Sequence, residues 1–120
     1  MTDRDRRDAE RRGRQAERIA VWWLRLKGYA ILAQRFKRPG GEIDIIALRN
    51  QTLVFVEVKQ RPTLELAQSA VPARAWRRIA RTADVWIAAR SDRAAYNCRF
   101  DLIAITAKGF PKHFRDYWRP

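Results

Sequence analysis

A chain of 120 residues holds one domain with a single core and is too short for two. Its 26 lysines and arginines stand against 13 acids, a net charge of +13 that repels like copies and draws polyanions, nucleic acid foremost. A single cysteine and a single histidine exclude an internal disulfide and the Cys- or His-rich cages of structural zinc, and no run approaches the roughly 18 apolar residues of a membrane span, so a cytoplasmic location with no membrane partner is expected.

In chain order, residues 1–12 read as a flexible basic arm, residues 13–108 as the domain, and residues 109–120 as a basic, aromatic tail. From about Arg11 to Lys27 the pattern is helical: Ala16, Ile19, Ala20, Trp23 and Leu26 recur at three- and four-residue steps, and Gly28 fits a stop. Glu17 places a carboxylate at the margin of that stripe, beside Ala20, Val21 and Leu24. From the residues alone it would satisfy the helix start or pair with Arg14 or Arg18. Tyr29 to Phe36 reads as a strand. Arg35, Lys37 and Arg38, followed by Pro39-Gly40-Gly41, then form a basic flexible loop, either a phosphate contact or a plain turn with solvated charges.

The stretch from Gly41 to Lys59, GEIDIIALRNQTLVFVEVK, carries charges inside an apolar run. With a strand period of two, Glu42 and Asp44 share one face of the first segment, and Glu57 and Lys59 share one face of the second. A turn of even length centred on Asn50-Gln51 sets Asp44 opposite Glu57 and Glu42 opposite Lys59, whereas an odd-length loop, left open because Asn-Gln lacks a turn glycine, would move Asp44 off that partner. Opposed side chains have Cβ atoms about 4.5–5.5 Å apart. Two carboxylates that close raise one another's pKa unless a proton or a cation compensates. Mg²⁺, or Mn²⁺ in its place, is the natural compensation, since Mg²⁺ takes oxygen ligands and is usually held by one or two carboxylates plus phosphate. Lys59 reaches the same space and is expected to bind phosphate or orient a water. A merely solvated hairpin face with a Glu42–Lys59 ion pair is the competing reading, and the apolar flanks on both faces argue against it.

Beyond Lys59, the segment Gln60 to Ala70, with Arg61 and Pro62, reads as a mobile substrate-contacting loop. Pro72 opens a second helix running to about Ala89, with Ala75, Ile79, Ala83 and Trp86 as its apolar row and Ala80 and Ile87 beside it. Arg74, Arg77, Arg78 and Arg81 form a basic stripe on the other side, expected to contact backbone phosphate. Cys98 is expected to be a buried, inert thiol. Arg99 to Thr106 is a last strand, in which Asp101 is expected to pair with an arginine and fix the strand. In the tail, Phe110, Phe114, Tyr117 and Trp118 alternate with basic residues, a pattern that either stacks bases or packs over the core.

Helix, three strands, helix and strand give an α/β fold, a single domain with a mixed sheet flanked by helices. The spacing of Asp44 and Glu57-Val58-Lys59 resembles the D…(D/E)xK signature of restriction-endonuclease-like nucleases. The wider wording GEIDIIA, LVFVEVK and RFDLIAI resembles the small bacterial YraN-like family, similar in layout to archaeal Holliday-junction resolvases, over roughly Gly13 to Ile105. That resemblance implies a restriction-endonuclease-like fold and a metal-dependent endonuclease acting on nucleic acid, DNA in preference to RNA. Asp44, Glu57 and the Val58 carbonyl would hold the cation, Lys59 would activate water, and Glu42 would support Lys59. It also implies that Glu17, in GRQAERIA, reaches toward the metal as the first-helix acid. The sequence departs from the family where a lysine is common early in the second helix; Ala75 stands there. A catalytically silent nucleic-acid-binding protein is the alternative, and a homodimer is left open.

Overall fold

The computed structural model describes residues 1–107 and 110–120, so the expected boundary at 108/109 falls outside the described residues. Three nine-residue runs fold back on one another as β1 (Ala30–Arg38), β2 (Gly41–Arg49) and β3 (Thr52–Gln60). Pro39-Gly40 turns the first hairpin, with Gly40 at φ +85°, and Asn50-Gln51 turns the second, with Asn50 at φ +55°, a region asparagine tolerates through its short polar side chain. The first turn corrects an expectation. Arg35, Lys37 and Arg38 lie on a strand that ends in a two-residue turn, not in a flexible loop, because Arg38 pairs with Gly41. The β2–β3 ladder runs from Arg49↔Thr52 to Ile45↔Val56, the register expected from the turn.

From β3 the chain passes through α2 (Leu64–Ser69), α3 (Ala73–Ala88) and a short 3₁₀ turn (Ser91–Ala95) to β4 (Asn97–Ile105), which lies parallel to β3. A last strand, β5 (Lys112–Trp118), pairs antiparallel with β4, giving a five-stranded mixed sheet in sequential order. Two further expectations are corrected here. The stretch from Gln60 to Ala70 contains α2, capped by Thr63 Oγ1 on the Leu66 amide at 3.2 Å. The tail is a sheet strand in which His113, Phe114, Tyr117 and Trp118 are half-buried, the last three packed over the core as one of its two readings expected, through a pairing with β4 that local composition cannot announce.

The first helix, α1, spans Asp3–Leu26, so the expected arm is helical from its third residue. A reciprocal capping box between Thr2 and Asp5 starts it. It covers one face of the sheet with Ala16, Ala20, Val21 and Leu24 against Ile45, Ala47, Val54, Val56 and Ile103. Ile19 and Leu26, expected in the stripe, are exposed at 40% and 63%. The buried stripe is therefore rotated toward the side that bears Glu17.

The opposite face is covered by α3, through Trp76, Ile79, Ala83 and Trp86 against Ile43, Ile46, Leu53, Phe55 and Leu102. Trp76, absent from the expected row, is among its most buried residues, and Ala75 is only partly covered. Gly41 permits this docking: a Cβ there would stand 2.0 Å from Thr82 Oγ1. Cys98, expected to be buried, is exposed near the start of β4. Among the described residues no helix is long and apolar enough to cross a membrane.

Candidate active site

Past Ile45 and Val56 the central ladder ends, while β2 stays paired with β1 down to Gly41 and β3 stays paired with β4 up to Gln60. The two strands thus part at Asp44 and Glu57. Asp44 bridges the opening: its Oδ2 accepts the Val58 amide at 2.8 Å. Because the acids sit in this gap, the site communicates with both faces of the sheet. On the α1 side a cavity of about 290 Å³ is lined by Glu17, Asp44, Glu57, Val58 and Lys59. On the α3 side a cavity of about 630 Å³ is lined by Glu42, Glu57 and Lys59 together with Lys37, Arg38 and Arg78.

The two carboxyls are held in an environment that disfavours their charge. Burial, then the charge of Glu57 and a hydrogen bond between the pair, push Asp44 up to about 9, and the Val58 amide only partly opposes this. Burial also raises Glu57, against the lowering effects of Asp44's hydrogen bond and of Lys59. The Lys59 ammonium lies 3.5 Å from Glu57 Oε1. Among the described residues its ion pair is with Glu57 and not with Glu42 across the strands, since the ladder has already ended there. The solvated hairpin reading therefore loses the ion pair on which it rested.

Glu17 enters from α1 and adds to the repulsion felt by Asp44. Its carboxylate is also bound by the Arg35 guanidinium, Nε to Oε2 at 2.7 Å. Arg35, expected on phosphate, thus neutralises an acid at the site, from a backbone with φ +52°, uncommon for a residue other than glycine. Arg61 lines the α1-side cavity, and its backbone amide is tied to the Ile105 carbonyl at 3.1 Å. Of the α3 stripe, Arg78 faces the larger cavity beside Ala75, whereas Arg77 and Arg81 line a different cleft and Arg74 is exposed at the start of the helix. Arg12 was missed by the sequence reading. It lines the acid cavity with Gly13 and Glu17, and carrying the helical period back one turn from Ala16 would have found it.

Asp101 pairs with an arginine as expected and lines neither of the two cavities at the acids. Fully buried, it accepts Arg99 Nε at 2.9 Å and Nη2 at 2.8 Å, and the Asp116 amide at 2.9 Å, and its Oδ2 is 2.7 Å from His113 Nε2. Burial alone would raise its pKa, but the hydrogen bonds of His113, Arg99 and Asp116 prevail and hold it below the usual carboxylate range.

No three Asp, Glu, His or Cys side chains among the described residues form a ready-made metal cage. Two carboxylates flanked by a main-chain carbonyl and open space are instead the donor set of a hard cation that keeps waters and shares phosphate. The mutual repulsion and burial of Asp44 and Glu57 are what such a cation would relieve.

A family model described as "Uncharacterised protein family UPF0102" matches residues 16–105. The chain is similar to a UPF0102 protein of Bartonella bacilliformis, 46% identical over 118 residues, with 98% of this chain and 97% of that protein covered. A UPF0102 protein of Chelativorans sp. is 46% identical over 113 residues (94% and 91% covered), and one of Bartonella tribocorum is 49% identical over 102 residues (85% and 78% covered). The chain belongs to the UPF0102 family.

Proposed function

We propose that this UPF0102 protein is a divalent-metal-dependent endonuclease of restriction-endonuclease-like type, acting in the cytoplasm on nucleic acid and on DNA in preference to RNA. One observation carries the reading: β2 and β3 part where Asp44 and Glu57 face each other, with Lys59 beside Glu57 and the cations Lys37, Arg38 and Arg78 around the opening. A binding protein has no physical use for two buried, mutually repelling carboxylates. An enzyme that must bring a cation to a phosphodiester does.

Asp44, Glu57 and the Val58 carbonyl would hold Mg²⁺ or Mn²⁺, with Glu17 as an outer acid. When bound, the cation supplies charge neutralisation and acidifies water. Lys37, Arg38 and Arg78 bind the phosphates on either side of the scissile bond, which a site with two acids would otherwise repel. Lys59 orients the attacking water and stabilises charge gathering on the phosphate, while Glu57 keeps its ammonium in place. Glu42, exposed at the lip of the same cavity, supports Lys59 electrostatically. Arg78, one turn beyond Ala75, supplies the positive charge that a lysine early in this helix would bring.

The test is direct. Purified protein incubated with branched, single-stranded and duplex DNA and with RNA should cleave at least one of them with Mg²⁺ or Mn²⁺ and none with chelator. No cleavage of any substrate with either ion, alongside retained binding, would leave the silent nucleic-acid-binding module as the correct reading.

A further inference from the structure

The arginines of α3 serve two different spaces. Arg78 lines the acid cavity. Arg77 and Arg81, four residues apart and so on one side of the helix, line a second cleft of about 460 Å³ whose other wall is Trp118, Arg119 and Pro120 at the end of β5. Asp84 also lines this cleft and Asp116 neutralises Arg119, so Arg77 and Arg81 are the two guanidinium groups that outweigh the one remaining carboxylate. At about 3.6 residues per turn Arg78 is about 100° around the helix from Arg77 and about 60° from Arg81, so the two cationic spaces lie on neighbouring flanks of α3.

Trp118 is built as a rigid platform. Its ring stacks on Trp76 with centroids 6.1 Å apart and planes 11° from parallel, and Trp76 is itself 1% exposed. Phe100, which pairs with Trp118 across β4 and β5, meets the ring edge-on at 5.6 Å and 80°. The ring is nevertheless only half-buried and borders the cleft. Arg119 is held beside it by an ion pair with Asp116. A pinned aromatic surface loses little freedom when a ligand stacks on it. An aromatic surface flanked by surplus cations is the combination that grips single strands, because an unpaired base offers its face and a paired base hides it.

We propose that this cleft is a second nucleic-acid site that takes an unpaired nucleotide of the substrate, its base against Trp118 and its flanking phosphates on Arg77 and Arg81. The proposal rests on the reading of the protein as an enzyme of nucleic acid. It adds that substrates with an unpaired segment beside the cleavage point, on the α3 flank, are preferred over fully paired ones.

The experiment measures binding of the full chain, in chelator, to a short oligothymidine carrying one 2-aminopurine and to a blunt duplex of equal length. The 2-aminopurine fluorescence should be quenched by wild type. Trp118→Ala should weaken oligothymidine binding roughly 5- to 150-fold, the range for losing one stacked base, and leave duplex affinity within about twofold. Trp118→Phe should retain most of the single-strand affinity and the quenching. Should Trp118→Ala fail to fold, Arg77→Ala/Arg81→Ala decides. It should flatten the single-strand salt slope by about 1.4, at about 0.7 per phosphate, and release the quenching. Unquenched 2-aminopurine in wild type, or single-strand affinity and slope unchanged in the folded variants, would overturn the proposal. If duplex is still bound in chelator and is cleaved once Mg²⁺ or Mn²⁺ is supplied, only this inference falls; if wild type binds neither nucleic acid, the nuclease reading falls with it.

Discussion

Asp44 shows how burial and a neighbour change the protonation of a common side chain. Its folded pKa, raised to about 9 from an ordinary 3.8, means that the cation-free folded state keeps a proton that the unfolded chain releases. The stability tied to this group is full below about pH 3.8 and is lost as pH rises toward 9. Asp44→Asn mimics the protonated form. It should melt a few degrees higher than wild type at pH 7–8 in chelator and show no advantage near pH 4. Added Mg²⁺ or Mn²⁺ should stabilise wild type by about 2.7 kcal/mol at a hundredfold excess over Kd, and the variant by much less; an equal increment in both, read by thermal denaturation, would remove Asp44 from the ligand set. Lys59 answers to a different measurement. It is one of 26 cations for holding nucleic acid, but the ion pair with Glu57 gives it a fixed place at the acids. Lys59→Ala should lower the cleavage rate by roughly 10²–10⁴-fold, the usual contribution of a positioned acid–base group, with affinity and metal-induced stabilisation near wild type. Full cleavage by the purified variant would refute its role.

At the scale of elements, β5 is attached by a polar cluster as well as by its ladder. Asp101 on β4 binds Arg99, His113 and the Asp116 amide, and Arg99 Nη2 also donates to the Tyr29 hydroxyl at 2.7 Å. The C-terminal strand is thereby tied to the segment between α1 and β1. Asp101→Asn leaves these donors without their carboxylate in a fully buried place. A cost of about 3 kcal/mol is expected, the lower end for breaking a buried ion pair, or a melting temperature lower by about 10 °C. Because hydrogen bonds hold the wild-type carboxyl below its ordinary 3.8, this contribution is in place above that pH and is lost on further acidification. The gap between wild type and variant, measured by melting at several pH values, should therefore close in acid.

For the whole molecule, the sheet with α1 on one face and α3 on the other puts the acids in an opening reachable from both sides, under a net charge of +13. Such a field would let nucleic acid arrive against local acids, and would make the affinity depend on salt. Binding to duplex should follow a log–log slope near −0.9 per phosphate contacted. Replacing Arg77, Arg78 and Arg81 together with alanine should flatten the slope for a substrate with an unpaired segment by about two to three units. An unchanged slope and affinity would mean that α3 presents only a solvated face.

Much of this was legible in one dimension. The Asn50-Gln51 turn gave the register of β2 and β3, since an even-length loop there sets Arg49 opposite Thr52 and Ile45 opposite Val56. The strand period brought Asp44, Glu57 and Lys59 together, whereas Glu17 on α1 was singled out as a site acid by the family resemblance and not by its own pattern. Asp101 was legible as an arginine partner, since a charge inside an apolar strand needs one. What tertiary structure alone decided are the pairings between distant segments. The parting of β2 from β3 at the acids arises because β1 and β4 hold them separately, and no local pattern encodes that competition. The rotation of α1's buried stripe, the sharing of Arg35 with Glu17, and the division of α3's arginines between two clefts depend on which neighbour each helix face meets. A residue's period gives its direction along its own element, while the partner in that direction is determined by how the whole chain packs.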